Sequence, residues 1–507
     1  MSNLLIERIT STLNRMTRNT LHESYVNKPI LSKHGDDFLS HLMSPVIGYD
    51  DVKRIISEIT VVSMENRPKF RATEIPDILS HPAVTQKTGQ HAEHYRKLMQ
   101  NGEKISQEVP NKSHKRLKSE FDSYMDDFEK NPEKRSSLVR TAKAHMTQYR
   151  QDRQGYTGGK PNLLGGNTKI AKNERQAENS TGLSLSPFST HGIKGHSNCV
   201  KSTSGCQNSC LAYTTGQNAM LSNINSKIAT TQYLVHHPKH FAAILHHNML
   251  KHIDETANLN NADWHQRQVN TTTAALYEAR KNRKNDTTDL EKRLEEAKTA
   301  QREHANGKRY TAGFRLNVTS DYNIPHIMGR MLDHVHSYAK NKGVDMIARD
   351  YTKHSERLYE KRPGYHFLAL SHTGQNLNHA GHVHDESNDG DVSKALENGH
   401  TVAGIVHGDA THVYDHKTKR FYPIVDGDDE DMIEKRHEQA GHMTHSDYTG
   451  TDPHTGKKTG VYSALRIKGL SNAVKDAAGN FGNQTTNMIH PKTKQNMRVV
   501  EINRPLK

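Results

Sequence analysis

From about residue 182 onward, short runs of β-forming residues alternate with helical stretches, and this alternation limits the fold more than any other feature. The runs are LSLSPF, GFRLNVTSD, VDMIARDYTK, YHFLALSH, TVAGIVH, FYPIVDGD and VYSALRIKG. Helical periodicity fills 220–250, 325–340 and 391–397 between them. In the second of these, Ile327, Met331, Val335 and Tyr338 share one face. Strand–helix–strand order implies parallel pairing through crossover helices. The expected fold class is α/β: a complete or partial β/α barrel, or an open doubly wound sheet, preceded by an α-helical N-terminal region.

The rest of the chain divides around that domain. Residues 1–155 read as a basic helical region. Leu4, Leu5, Ile9, Leu13 and Met16 recur at helical spacing, as do Val52, Ile55, Ile56 and Ile59. Charges of both signs alternate through 91–153, which suits helices on a thin core or against a partner. Residues 156–181 are rich in Gly and Asn and form a linker. The barrel domain is expected over 182–490 and a C-terminal tail over 491–507. Two stretches interrupt the barrel: a helix or helical hairpin at about 270–308, and a polar insertion at 376–392.

Charge and cysteine usage narrow the setting. The 507 residues carry a net charge of +14, and only 33% are hydrophobic. Such a balance fits a polyanionic partner, nucleic acid first, through the basic N-terminal region; the plain alternative is a soluble basic surface. No stretch approaches ~18 uninterrupted apolar residues, so no membrane span is expected. The opening MSNLLIERITSTLNRM lacks the apolar core and cleavage site of a secretory signal. Three cysteines cannot pair evenly, and a reducing cytoplasm is the natural compartment.

Those three cysteines, Cys199, Cys206 and Cys210, all fall within NCVKSTSGCQNSC. The residues around them are mostly small and polar, Gly205 allows a sharp turn, and Val200 is the one aliphatic residue between them, too little to bury the thiols. The pattern C-x6-C-x3-C points to a metal site. Zinc would need a fourth ligand, for which His196 is placed. A 4Fe-4S cluster held by only three thiolates would leave one iron open for a substrate or cofactor. Spacing alone does not choose between them.

The cysteine loop ending in CLA, followed in order by RLNVTSDYN, ARDYTKHSERL, YHFLALSH, PIVDGDDED and GVYSALRIKG, resembles the phage and plasmid family called gene product 88. The resemblance covers about 182–485. The same order of blocks is similar to phage proteins of the gene product 37 and gene product 68 type, which look like radical S-adenosylmethionine enzymes. It implies a β/α barrel with an iron–sulfur cluster at the C-terminal mouth of the strand LSLSPF, with Ser320, Asp321, Thr352 and Lys353 at matching positions. It also implies a phage-encoded protein of the host cytoplasm or the virion. The loop departs from the common C-x3-C-x2-C spacing of radical enzymes, Ser209 replaces the aromatic before the last cysteine, and no Gly-Gly-Glu run follows. A barrel that keeps the cluster without the radical chemistry therefore stays open.

Functional groups gather at the C-terminal ends of parallel strands. Asn317, Ser320, Asp321, Asp350, Tyr351, Thr352, Lys353, Ser371, His372, Asp426 and Asp428 all stand there in the expected strands, and a barrel would bring them over the cluster. Asp321 and Lys353 could hold the ribose and carboxylate of S-adenosylmethionine. Asp321 could equally cap the next helix, and Lys353 could be a solvated lysine. DGDDEDM at 426–432 lacks the pattern of a calcium loop and suits solvated turn acids or one magnesium ligand. In HHPKHFAAILHH, His236 and His240 lie one helical turn apart, but HExxH is absent, so surface histidines are expected. Phosphate-binding Gly loops and the GxSxG elbow are absent too. Two readings remain: a radical-type enzyme modifying nucleic acid or a nucleotide, and a zinc-stapled, non-enzymatic nucleic-acid-binding or virion protein.

Overall fold

The structure is a computed structural model. It describes residues 77–503 apart from 82, 156–160, 167–171, 203–205, 208–209, 215, 283–285, 374–386, 407, 429–432, 434–459, 467–484, 490–493 and 495. The helices expected near residues 4–16 and 52–59, Gly205, Ser209 and most of the 376–392 insertion lie outside the described residues.

Eleven strands form one mixed, mostly parallel sheet. They are β1 (Leu164–Gly165), β2 (Glu178–Leu183), β3 (Thr311–Arg315), β4 (Met346–Thr352), β5 (His366–Ser371), β6 (Thr401–Val406), β7 (His412–Asp415), β8 (Arg420–Asp426), β9 (Val461–Arg466), β10 (Thr485–Ile489) and β11 (Asn496–Ile502). Spatial order is β1-β2-β3-β4-β5-β6-β9-β8-β7-β11-β10. From β2 to β6 every neighbouring pair is parallel and spatial order equals chain order. Among the described residues the ladder runs from edge to edge without a closing pair.

Two boundaries differ from expectation. The strand expected at LSLSPF ends where that segment begins: β2 is ENSTGL, inside the stretch read as linker. Residues 496–502, placed in a tail, form β11, which pairs in parallel with β7 and buries Val499, Val500 and Ile502.

Among the described residues, nine longer helices accompany the sheet: α1 (Gln90–Glu108), α2 (His114–Lys130), α3 (Arg135–Gln154), α4 (Leu221–His236), α5 (Pro238–Leu259), α6 (Ala262–Lys281), α7 (Thr288–Ala305), α8 (Ile324–Asn341) and α9 (Asp389–Glu397). Local chemistry sets their ends. Ser113 caps α2 by accepting from the Arg116 amide, Asn261 caps α6, and Pro238 opens α5 where its missing N–H costs nothing. Gly155 closes α3 in the left-handed conformation that an L side chain resists.

One core joins the N-terminal helices to the sheet. Leu117, Phe121, Tyr124, Met146 and Tyr149 of α2 and α3 share a buried cluster with Phe241, Leu245 and Met249 of α5, Met331 and Val335 of α8, and Phe314 and Met346 of the sheet. Helices 90–154 are thus a packed layer and not a detached arm. A second cluster packs α9 on β5–β9 and β11 through Leu396, Val402, Tyr422, Tyr462 and Val500. The expected insertion is a helical hairpin of α6 and α7, and no side chain of α7 is buried.

The sheet's two faces differ. Strand alternation turns Ala312, Phe314, Met346 and Ala348 to the helices and Glu178, Ser180, Arg315, Arg349 and Tyr351 to the other side. On that second face Arg349 grips Glu178 through both nitrogens, at 2.6 Å each, with both side chains buried. Asn173 donates to the same carboxylate at 3.1 Å, and the Arg315 guanidinium lies 4.7 Å from the Tyr351 ring centre. Removing one partner of a buried pair strands the other charge and costs roughly 3–5 kcal/mol. Such a face persists only because its polar groups satisfy one another.

Candidate metal centre

The cysteine loop leaves the C-terminal end of β2 and is pinned from two sides before it reaches Cys199. The Ser186 amide donates to Thr231 Oγ1 of α4 at 2.8 Å, and Asn198 ties back to the Phe188 carbonyl at 3.1 Å and the Ser186 carbonyl at 2.5 Å. Gln232 of α4 donates to the carbonyls of Leu98 and His191, joining α1 to the same loop. Here α1 approaches so closely that a Cβ at Gly102 would stand 2.7 Å from the Gly192 carbonyl carbon. Only glycine fits that crossing.

The three thiols sit in one electrostatic neighbourhood. Each is half-buried. Burial pushes Cys199 and Cys210 well above the ordinary thiol range; Cys199 also feels Asp321, Cys210 and Cys206, and Cys210 feels Cys206. The buried phenol of Tyr213 responds to all three. Two lysines face them. Lys353 donates to Cys206, and the pull of Cys206, Asp321 and Cys199 outweighs its burial and raises its pKa. Lys227 donates to the Ala212 carbonyl at 2.7 Å and to Asn218 at 2.8 Å; burial brings it down to about 8, against the opposing charge of Cys210. Burial thus favours the protonated thiol at Cys199 and Cys210; a bound cation would displace those protons.

The three thiols are not gathered closely enough to share a single ion as they stand. Thiolates bound to one zinc at ~2.3 Å stand roughly 3.8 Å from one another. Among the described residues, the group whose ligand atoms all fall within 4.8 Å of one another is His145, His237 and His240, and not the cysteines. A cubane binds each thiolate at a separate iron and so accepts wider spacing. His196 does not complete a zinc set. It is buried, its Nδ1 meets the Lys112 carbonyl at 3.0 Å, and its Nε2 meets the Tyr322 hydroxyl at 2.8 Å and Asn198 Oδ1 at 3.0 Å. Burial, then the charge of His114, pushes its pKa down to about 4.

The strand-end residues divide into a group at the thiols and others elsewhere. Asp321 joins the group: its Oδ2 accepts from the Lys353 amide at 2.9 Å and its Oδ1 from Arg357 at 2.8 Å. It does not cap α8, a role taken by Asn323. Thr352 Oγ1 accepts from the His354 amide and from Arg357. Asn317 organises the turn after β3: its side chain binds the Tyr322 backbone and accepts from Ser320 Oγ at 2.9 Å. Asp350 takes the Asn317 amide on one oxygen and pairs with His366 at 3.0 Å on the other. Asp426 is exposed and accepts from the Asp428 amide, three strands along the sheet from β5. His372 is held between Tyr462 at 2.8 Å and Asp389 at 2.9 Å.

Below the Asp321 corner, Asn317, Tyr322, Asp350, Arg357, Glu360 and Arg362 line a small cleft. Arg357, Lys227, Asn198 and Tyr322 were not legible as site residues. Their only signal is adjacency, in SERLY, NSKIA, SNCV and SDYN. No protein-family model matches the chain, and neither a curated protein nor a solved structure does.

Proposed function

We propose that the chain is a phage-type iron–sulfur protein in which Cys199, Cys206 and Cys210 hold a cubane 4Fe-4S cluster at the rim of a curled β/α sheet of radical S-adenosylmethionine type. The observation that carries the reading is the meeting of three thiols, from the loop after β2, with Lys353, from the end of β4. Sheet order supports it. A doubly wound sheet starts in the middle and reverses. Here β2 to β6 advance one strand at a time, and right-handed crossovers advancing one way place their helices on one face and bend the sheet toward a barrel.

A cubane held by three cysteines supplies an electron and one open iron for the methionine end of S-adenosylmethionine. The chain's own groups have separate tasks. Lys353 neutralises thiolate charge and donates to Cys206. Asp321 and Arg357 lock the β3 and β4 loops together, so Asp321 positions Lys353 and is not itself free for a ribose. The +14 charge suits an anionic substrate, a nucleotide or nucleic acid.

The test is anaerobic purification followed by iron, sulfide and zinc assays and electron paramagnetic resonance of the reduced protein with and without S-adenosylmethionine. About four irons per chain, lost in Cys206→Ser, and a spectrum perturbed by S-adenosylmethionine are expected. Colourless protein holding one zinc through the cysteines would overturn the reading in favour of a zinc-stapled binding protein.

A further inference from the structure

The corner between α4 and α5 carries a histidine cluster that the cysteine centre does not use. His145 comes from the middle of α3, His237 from the one-residue link between α4 and α5, and His240 from the first turn of α5. Ring centres of His237 and His240 lie 4.4 and 4.3 Å from that of His145. One nitrogen from each ring falls within 4.8 Å of the other two. All three are half-buried.

Hydrogen bonding prepares His145 as a ligand. The Tyr233 hydroxyl donates to the Ala142 carbonyl at 3.4 Å, so at its 3.1 Å contact with His145 Nδ1 it accepts. With the hydroxyl proton donated to the Ala142 carbonyl, Nδ1 carries the ring proton and the lone pair of Nε2 is left for a metal. A partner on the far nitrogen is the usual accompaniment of a metal-bound histidine. Among the described residues, His237 and His240 have ring contacts but no side-chain hydrogen-bond partner. The neighbouring cations are engaged elsewhere: Lys239 with Asp127 and Ser123, and Arg153 with Glu108 and Asn101. His236 is drawn to Glu108 and Tyr149 and does not join.

We propose that His145, His237 and His240 bind one divalent first-row metal ion, zinc by preference, joining α3 to the α4–α5 corner and leaving a fourth position for water. Three imidazoles with an open position are a known zinc donor set. The site is separate from the cysteines: Lys227 beside Cys210 and His237 are ten residues apart on and just past α4, about 15 Å along a helix axis. The proposal does not rest on the iron–sulfur reading.

The experiment uses the full chain, stripped with a chelator and titrated with Co²⁺ and then Zn²⁺. The wild-type minus His240→Gln difference spectrum should show visible ligand-field bands without thiolate charge-transfer absorption, and Zn²⁺ should abolish them. His240→Gln and His145→Gln should each weaken Zn²⁺ binding by roughly 100-fold or more. Tyr233→Phe, which removes the hydroxyl beside His145 Nδ1 together with its bond to the Ala142 carbonyl, should weaken it about 10-fold. Zn²⁺ should also raise the melting temperature of the stripped wild-type chain, a readout that needs no variant. Co²⁺ spectra and Zn²⁺ affinity unchanged in both histidine variants, a difference spectrum carrying thiolate bands, or no Zn²⁺ effect on wild-type melting would overturn the proposal.

Discussion

At the scale of single residues, burial decides what each ionisable group does. His246 is fully buried between Tyr124, 2.9 Å from its Nδ1, and His334, 3.0 Å from its Nε2. Burial first, then His334, brings its pKa down to about 3. In the unfolded chain it titrates near 6.5. Between those values the unfolded state binds the extra proton, so the contribution is complete above pH 6.5 and is lost as pH falls toward 3. His196 acts the same way between 6.5 and about 4. Urea unfolding at pH 7, 6 and 5 should show stability falling with acid, by up to ~1.4 kcal/mol per pH unit for each such histidine. His246→Gln should flatten that slope by about 1 kcal/mol per unit; an unchanged slope would refute the assignment. The sequence, with its 36 histidines, pointed to surface residues. The reason is physical: the partners that bury His246 lie on α2 and α8, 122 and 88 residues away. The cysteines were legible because their signal is local. Asp321 and Lys353 were legible as strand-end residues, but the Arg357 bond that occupies Asp321 was not.

At the scale of elements, the long helices and the apolar strands could be read from periodicity, and the polar strands could not. β4, β5, β6, β8 and β9 fall within the expected runs. β2 was missed because ENSTGL turns Glu178 and Ser180 to a face whose compensating group, Arg349, lies 171 residues on. A strand that satisfies polar groups across the sheet does not resemble one in isolation. β7, β10 and β11 were missed as short runs; β7 pairs locally with β8 and β10 with β11, and only the pairing of β11 with β7 joins segments distant in sequence. The contact of α1 with the cysteine loop was also invisible, and it supplies a sharp test. Gly102→Ala drives a methyl into the Gly192 and His191 backbone at 2.7–2.8 Å. It should cost about 1–3 kcal/mol and reduce metal retention by the cysteines. Gly329→Ala in α8 meets nothing within 4 Å and should be neutral or stabilising by ~0.5–1 kcal/mol. Equal effects in thermal melts of the two variants would remove α1 from its supporting role.

For the whole molecule, alternation of strands and helices was enough to place it in the α/β class, and the lack of a long apolar run was enough to expect no membrane crossing; no described helix is long and apolar enough for one. The N-terminal helices α2 and α3 share one buried cluster with α5, α8 and the sheet. A chain lacking 90–154 would expose Phe241, Leu245 and Met249 of α5 and break the Gln154 and Asn101 bonds to α4. It should fail to yield a soluble monomer by size-exclusion chromatography; recovery of a folded, soluble remainder would show the layer to be dispensable. The hairpin of α6 and α7 has the opposite status. Its second helix buries nothing, and its two ends meet where Asn260 bonds Tyr310 at 2.6 Å through the backbone amide and 2.9 Å through its own amide group. With its stem clasped in this way, the outer part can lengthen, shorten or change its charge while the sheet and the cysteine loop keep their shape, so sequence can diversify there one residue at a time.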